Sequence, residues 1–181
     1  PSVSRVWPTI ADREFTAWRG TDLLAEVGFR LVGESNHMVL PASAPVTPVR
    51  LPPPGHIRPY DAERDGETVA TAVYVPFGFV EYAPPPLAEG SALVVAGDRA
   101  VVGVVGWDLP RRELQRLAVV PDRQGRGLGR ALLTHAIASL RAQGPGPVHV
   151  HVDRQNARAI ALFRSTGFEQ VSTYTRFVCV L

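Results

Sequence analysis

The sequence predicts an α/β protein built around a mixed sheet. Short apolar runs rich in valine alternate with segments whose apolar residues recur at helical spacing. Glycine and proline clusters separate these segments. The chain has 181 residues, of which 45% are hydrophobic and 20% charged, and this balance is typical of a soluble globular protein with a sizeable core.

A proline-rich segment organises the chain. Residues 41–55 contain six prolines, which predicts a semi-extended linker without helix or strand. The linker divides an N-terminal extension, residues 1–50, from a main domain of residues 56–181.

The strands of the main domain are predicted from apolar runs bounded by turn residues. They are residues 56–60, 93–96, 100–109, 113–120, 148–152, 168–174 and 176–180. The Gly97-Asp98 dipeptide suits a tight hairpin between the second and third of these strands.

Three helices are predicted from the spacing of apolar residues and from their end signals. The first begins at an Asp61 N-cap and ends near Val75, before Pro76. The second covers residues 127–143, and the third covers residues 156–166 with Gly167 at its C-terminal end. Residues 77–82 are compatible with either a fourth, short helix or a loop.

Charge and cysteine content exclude several classes of function. The net charge is only +2, all 19 basic residues are arginine, and no basic stripe is interleaved with aromatic residues, so we expect no nucleic-acid partner. The apolar runs are too short for a membrane span and the N-terminus lacks a signal core, so we expect a cytoplasmic protein without a membrane partner. Cys179 is the single cysteine and is interpreted as a small buried hydrophobe; we expect no metal.

The segment from Gln124 to Arg130 carries the clearest chemical signal. Its alternating glycines follow a predicted strand and open a predicted helix, where free N–H groups and the helix dipole attract an anion such as a pyrophosphate. A P-loop is excluded because the chain has no lysine. The glycine spacing also differs from that of a dinucleotide-binding turn. A tight turn without a ligand remains the alternative.

The motifs together resemble the GNAT superfamily of acyl-CoA N-acyltransferases over about residues 56–181. They are Leu117-x-Val119-x-Pro121, Gln124-x-x-Gly127-x-Gly129 and Asn156-x-x-Ala159-x-x-Leu162-Phe163-x-x-x-Gly167-Phe168. The resemblance implies a mixed, mostly antiparallel twisted sheet with helices on both faces, splayed at its central strands, residues 117–119 and 148–152, with acetyl-CoA in the gap. It implies cofactor contacts from Leu117, Ala118, Val119, Gln124, Gly125, Arg126, Gly127, Leu128, Gly129, Arg130, Asn156 and Phe163.

Catalysis in this family usually proceeds by direct attack of the amine on the thioester. Glu113 is the candidate base because it lies four residues before Leu117, an even offset that keeps both on one sheet face; a solvated carboxylate is the alternative. Phe163 stands where the family commonly has a tyrosine and carries no proton to donate. Either another side chain donates the proton, with Tyr174 and Tyr82 as the candidates, or the thiolate leaves with help from water and backbone dipoles.

Several residues keep two interpretations. Asn156 can be a cofactor contact, a helix N-cap, or both. His149 and His151 share one face of their strand, where they can relay a proton, contact the acceptor, or simply form a polar surface.

The N-terminal extension contains a segment similar to the end of the chain. Residues 23–40 align without gaps on residues 162–179 with five identities, and Gly28-Phe29 falls on Gly167-Phe168. This similarity predicts the remnant of a second acyltransferase-like half, with chance similarity as the alternative. Trp7 and Trp18 are its expected buried anchors.

The expected function is acetyl-CoA-dependent transfer of an acetyl group to a primary amine of a small molecule or a protein N-terminus. The alternatives are an acyl-CoA-binding sensor domain with little catalysis and a structural subunit. The expected partners are acetyl-CoA and an amine acceptor, together with a second copy of the chain in a homodimer. The sequence does not specify the acceptor.

Overall fold

The computed structural model describes residues 24–51, 55–70, 87, 90, 92–96 and 100–179. Two compact units make up the chain: residues 40–149, and residues 1–39 together with 150–181. In chain order, the elements are β1 Phe29–Leu40, β2 His56–Pro59, α1 Ala62–Thr68, β3 Ala92–Ala96, β4 Val101–Asp108, β5 Glu113–Val119, α2 Leu128–Ala142, β6 Val148–Asp153, α3 Ala157–Arg164 and β7 Glu169–Cys179. The predicted α/β class with mostly antiparallel strands is confirmed.

The unit of residues 40–149 contains four antiparallel strands in the order β2-β3-β4-β5. One face is covered by α2, which packs against β3, β4 and β5. Five residues of the apolar stripe predicted for this helix are fully buried, namely Leu132, Leu133, Ala136, Ile137 and Leu140, whereas Leu128 in the first turn is half-buried. Gly103 allows the helix to approach, because a Cβ there would lie 3.1 Å from the Leu132 side chain.

The other face of this four-stranded sheet carries a buried apolar cluster. Its strand residues include Val94, Val104 and Ala118, and Tyr60 and Val69, which flank α1, belong to the same cluster. Apolar residues of the sheet are therefore buried on both faces.

The proline-rich segment does not behave as a free spacer. The Val49 N–H donates to Thr134 Oγ1 at 3.1 Å. Arg141 Nη2 donates to the Pro41 carbonyl at 3.2 Å. Both partners lie on α2, so two hydrogen bonds hold the segment against that helix. Amino-acid composition alone does not predict these contacts.

In the unit of residues 1–39 and 150–181, β1 pairs with β7 in antiparallel register from Phe29 opposite Cys179 to Val39 opposite Glu169. The prediction of two final strands is wrong, because β7 is one continuous strand. Its whole length pairs with β1, a partner more than a hundred residues away, so no reversal occurs at Thr175.

The predicted third helix is also shorter than expected, since α3 ends at Arg164. Gly167 follows with a φ of 99°, a left-handed conformation that suits its predicted place after the helix.

Some predictions fall outside the described residues. These are the helix beyond residue 70, the segment 77–82 with Tyr82, the Gly97-Asp98 turn, and the anchors Trp7 and Trp18. Within the described residues, no helix is both long enough and apolar enough to cross a bilayer.

Candidate active site

The start of α2 is open. Its N-cap is Gly127, with a φ of 81°, which has no side chain to cap the first turn. Gly125 has a φ of 79°, so two left-handed glycines flank the exposed Arg126. A Cβ on Gly127 would meet nothing within 4 Å, which means that backbone conformation rather than crowding favours glycine there. First-turn N–H groups without a side-chain cap are suited to an anion.

The loop before this helix is held by its own residues. Gln124 Nε2 donates to the Val119 carbonyl at 2.9 Å, which ties the loop to the end of β5. A 3₁₀ turn, Pro121–Arg123, precedes Gln124. Arg123 pairs with Asp122 at 3.3 Å in an exposed position. Residues Leu117, Ala118 and Val119 of β5 pair with Val105, Val104 and Gly103 of β4.

Strand β5 contains a bulge that the sequence did not predict. Gly106 pairs with Arg116 whereas Trp107 pairs with Leu114, so Gln115 is the extra residue on β5. Residues directly opposite each other share a sheet face. The partners of Asp108 and Val105 are Glu113 and Leu117, and those two β4 residues point to opposite faces.

The expectation that Glu113 and Leu117 share a face is therefore wrong. The inserted residue shifts the alternation by one, so Glu113 lies on the same face as Ala118, the face that carries the buried cluster with Tyr60 and Val69. Its side chain is half-buried and directly opposite Asp108, whose carboxylate accepts the Arg111 N–H at 2.9 Å. Two carboxylates thus face one another at this end of the β4–β5 hairpin.

Arg112 fastens this hairpin to the far end of α2. Its φ of 53° is left-handed, which is rare for a side chain larger than asparagine. Its guanidinium donates to three carbonyls, those of Leu140, Gly146 and Pro147, at 3.1–3.3 Å. The Arg112 carbonyl accepts the His149 N–H at 2.9 Å. These bonds fix the backbone immediately before Glu113.

The start of α3 is closed by contrast. Asn156 is its N-cap, and Asn156 Oδ1 accepts the Ala159 N–H at 3.0 Å. Asp153 Oδ1 accepts the Gln155 N–H at 2.8 Å. The capping interpretation of Asn156 is confirmed, and its cofactor contact stays a prediction. Phe163, on the same helix, is 3% exposed and packs edge-on against Phe168 with ring centroids 5.3 Å apart.

Tyr174 lies on β7 opposite Ser35 and is half-buried. Its ring lies beside two imidazoles, those of His37 and His151, with centroids 5.8 and 5.1 Å away. The predicted alternation on β6 is confirmed, since Val150 and Val152 are buried while His151 is exposed. Among the described residues, no group of three or more His, Cys, Asp or Glu side chains could hold a metal.

Sequence reasoning missed three residues of this region. Asp108 had a usable signal, because an aspartate before a Leu-Pro turn commonly caps it. Arg112 and His37 had none, since their partners lie far away in the chain: Gly146 for Arg112, and His151 for His37.

Comparison with known proteins gives the family. The profile of the Acetyltransferase (GNAT) family matches residues 40–168. Mycothiol acetyltransferase of Beutenbergia cavernae is 39% identical over 84 residues, which is 45% of this chain and 28% of that protein. The ribosomal protein bS18-alanine N-acetyltransferase of Escherichia coli K12 is 40% identical over 76 residues, which is 42% of this chain and 51% of that protein. These matches span about a quarter to a half of the length of those curated relatives.

Solved structures agree in fold. A GCN5-related N-acetyltransferase from Sphaerobacter thermophilus superposes with a TM-score of 0.69 at 19% identity, covering 95% of this chain and 58% of that one. The open helix start after a Gln-x-x-Gly-x-Gly loop lies inside the region matched by the family profile. The chain therefore belongs to the GNAT family of acetyltransferases.

Proposed function

We propose that this chain transfers the acetyl group of acetyl-CoA to a primary amine of a small molecule or a protein N-terminus, in the cytoplasm and without a metal. The open start of α2 carries the proposal. Left-handed Gly125 and Gly127 turn the backbone there, Gly127 has no side chain to cap the first turn, and Arg126 lies exposed between the two glycines. These features suit a pyrophosphate.

The donor contacts proposed for this loop come from the backbone of Gln124 to Arg130, with strand residues Leu117, Ala118 and Val119 pairing with the pantetheine arm. Asn156 and Phe163 are proposed as further contacts on the basis of the family resemblance. Support is strongest for the contacts of this loop. Its left-handed glycines and the glycine N-cap of α2 suit the pyrophosphate of the donor, and this argument does not depend on the family resemblance.

The reaction needs an amine that has lost a proton and a thiolate that gains one. Acetyl-CoA supplies the activated acyl group. Glu113 is proposed to take the ammonium proton, and Tyr174 to supply the proton to the departing sulfur. Support for Glu113 comes from its half-buried carboxylate and from Arg112, whose four hydrogen bonds hold the adjacent backbone.

The acceptor stays a proposal at the level of chemical class. The names of the two relatives, mycothiol acetyltransferase and ribosomal protein bS18-alanine N-acetyltransferase, point to different acceptors. A panel of small primary amines and N-terminal peptides therefore suits the test, with release of the CoA thiol as the signal. Release with at least one amine is expected; acetyl-CoA binding by calorimetry without release from any amine would contradict the proposal.

A second candidate is an acyl-CoA-binding regulatory domain. One observation favours it: Phe163, where the family commonly has a tyrosine, is buried against Phe168 and offers no hydroxyl. This candidate predicts acetyl-CoA binding together with no turnover, which is the outcome that contradicts the enzyme.

We also propose that residues 1–50 include the remnant of a second acyltransferase-like half, and that two copies of the chain form a homodimer. The remnant is supported by Gly28 and Gly167, which have φ values of 88° and 99° and each open a long strand. In addition, Ser35 and Tyr174 coincide in the alignment and lie directly opposite in the β1–β7 ladder.

Equivalent glycines should respond alike to substitution. Gly28→Ala and Gly167→Ala are each expected to lower the free energy of unfolding by about 1 kcal/mol, because alanine is strained at positive φ. Very unequal losses would argue against equivalent roles.

Sedimentation at several concentrations tests the homodimer, with a single monomeric species as the contradicting result.

A further inference from the structure

Arg112 takes a backbone conformation that is costly for a residue with a side chain. It ends the turn between β4 and β5, which closes where the Arg112 N–H donates to the Leu109 carbonyl at 3.1 Å. Its φ of 53° is left-handed, a region that glycine enters without strain and that a Cβ disfavours. Such a conformation persists only where the surroundings hold it, so the contacts of the Arg112 side chain have to offset the strain.

The guanidinium of Arg112 makes hydrogen bonds that glycine could not provide. It donates to the carbonyls of Leu140, Gly146 and Pro147 at 3.2, 3.3 and 3.1 Å. The first lies in the last turn of α2, where helix carbonyls lose their intrahelical partners. The other two lie in the turn before β6, which contains Pro145 and Pro147 and is therefore poor in N–H donors. We refer to Arg112 with these three carbonyls as the Arg112 clamp.

Gly146 leaves room for the Arg112 clamp. A Cβ on Gly146 would lie 2.7 Å from Arg112 Nε and 3.0 Å from its Cδ, which is too close for unbonded atoms. Gly144 lies two residues earlier and also has a positive φ, 138° against 148° for Gly146. A Cβ on Gly144, however, would meet nothing within 4 Å. The two glycines therefore share a backbone requirement, and only Gly146 is fitted to Arg112.

The Arg112 clamp connects two parts of the proposed site. The open start of α2 is the proposed donor site, and Glu113, the proposed base, follows Arg112 directly on β5. Both lie in the unit of residues 40–149. The Arg112 side chain binds the far end of α2, while its carbonyl accepts the His149 N–H at 2.9 Å. Arg112 therefore ties the backbone beside Glu113 to the helix that carries the donor site.

We propose that Arg112 is a positioning residue for acetyl transfer, and that the Arg112 clamp holds the Glu113 carboxylate in place relative to α2. The inference rests on the proposed function, which it deepens by giving the strained arginine a part in turnover. A base takes the amine proton only within hydrogen-bond reach, so a small displacement of Glu113 lowers the rate without removing the base. A clamp that only stabilised the fold would leave the turnover of the folded protein unchanged.

The first experiment breaks the Arg112 clamp in two independent ways. Arg112→Gly deletes the guanidinium at a backbone position that suits glycine, and Gly146→Ala keeps Arg112 but places a methyl group against its Nε. We expect kcat for CoA release to fall about tenfold in each variant, with the Kd for acetyl-CoA unchanged. The double variant should be no slower than Arg112→Gly, because the added methyl group then has no guanidinium to displace. Wild-type kcat in Arg112→Gly, measured under conditions where the variant is folded, would overturn the proposal.

Gly144→Ala is the matched control for this experiment. It imposes alanine strain at a positive φ in the same turn, while the space around Gly144 accommodates the methyl group. Its kcat should equal that of the wild type. Equal losses of kcat in Gly144→Ala and Gly146→Ala would assign the loss to strain in the turn and overturn the proposal.

The second experiment does not depend on turnover. The carboxyl ¹³C signal of Glu113, assigned by its absence in Glu113→Gln, reports the surroundings of that carboxylate. The signal should shift in Arg112→Gly and in Gly146→Ala and stay in place in Gly144→Ala. An unshifted signal in both clamp variants would overturn the proposal. If Arg112→Gly does not fold, the comparison of the two glycine variants decides alone.

The two proposals fail differently. If the wild type releases no CoA with any amine, the acetyltransferase proposal fails, and the Glu113 signal still decides whether the Arg112 clamp positions that carboxylate. If the wild type releases CoA and Arg112→Gly keeps its kcat, the acetyltransferase stands and the Arg112 clamp serves stability alone.

Discussion

Two helices of this chain begin in opposite ways. At α3, Asn156 accepts the Ala159 N–H and Asp153 accepts the Gln155 N–H, so nearby side chains satisfy the helix start. At α2, the N-cap is a left-handed glycine, which has no side chain to cap the first turn. A capped start stabilises the fold, whereas a start without a side-chain N-cap suits an outside anion. The comparison teaches that glycine at the N-cap leaves the start of α2 without the side-chain cap that Asn156 gives to α3.

The start of helix α1, like that of α3, is capped by side chains. Asp61 accepts the Arg64 N–H at 2.9 Å. Asp65 accepts the Asp61 N–H at 3.0 Å and receives a two-pronged bond from Arg58 at 2.6 and 2.7 Å. The Asp65 side chain is only 2% exposed, so this start is closed by a buried charge pair.

The largest effect is expected from breaking that closed start. Asp65→Asn should lower the free energy of unfolding by about 3 kcal/mol, because Arg58 would keep a partly buried charge without its partner. Chemical denaturation measures the loss. Asp61→Asn is the control, since asparagine caps as well as aspartate; an equal loss in both variants would contradict the role given to the ion pair.

The same pair predicts a pH dependence. The hydrogen bonds from Arg58 hold the pKa of Asp65 well below its ordinary 3.8, against the opposing effect of burial. A lowered folded pKa means that the stabilisation is complete above the unfolded value and disappears as pH falls through the folded one. Wild-type stability should therefore decline below about pH 4, and this part of the decline should be absent in Asp65→Asn.

The next largest effect tests whether the chain catalyses acetyl transfer or only binds acetyl-CoA at the open start of α2. Glu113→Gln should lower the rate of CoA release by about a hundredfold, the usual scale for a positioned base, and leave the acetyl-CoA Kd unchanged. Asp108→Asn, opposite it on the same face, keeps an acceptor for the Arg111 N–H and is the matched control. If Glu113→Gln keeps the wild-type turnover across the pH range, Glu113 is a solvated carboxylate and not the base.

A negative charge placed at the open start of α2 should weaken the binding of an anion there. Gly127→Asp is expected to weaken acetyl-CoA binding by about tenfold, or about 1.4 kcal/mol, because its carboxylate would repel the pyrophosphate. Gly127→Asn is neutral, has the same shape and tolerates a left-handed backbone, so it should bind more tightly than the aspartate variant. Equal calorimetric affinities for the two variants would remove the anion from the account of this loop.

The smallest effect concerns the closed start of α3. Asn156→Ala should destabilise the protein by about 1 kcal/mol through loss of the cap. Asn156→Asp keeps the cap, and thermal unfolding should therefore distinguish it from the alanine variant. If both variants lose acetyl-CoA affinity equally, Asn156 has the cofactor contact that the family resemblance implies, in addition to its capping bond.

The contrast between the helix starts could be anticipated from sequence, because capping is local. Asp61 and Asn156 lie within three residues of the N–H groups that they accept, and the Gly-rich loop excludes a side-chain cap by composition. The β-bulge could not be anticipated. Gln115 resembles any polar strand residue, and only the pairing of Gly106 and Trp107 with β5 shows that one residue is inserted. That insertion reversed the predicted face of Glu113.

The sequence by itself determined most element types and boundaries, the glycine-rich loop before α2 and the family, since these depend on apolar spacing, glycine positions and short motifs. The tertiary structure decided three further features: β1 pairs with β7 and makes it one strand, Arg112 binds carbonyls at and beyond the far end of α2, and His37 stacks on His151. Each depends on partners between about thirty and more than a hundred residues apart. Such contacts follow from how strands align in space, and no local pattern encodes them.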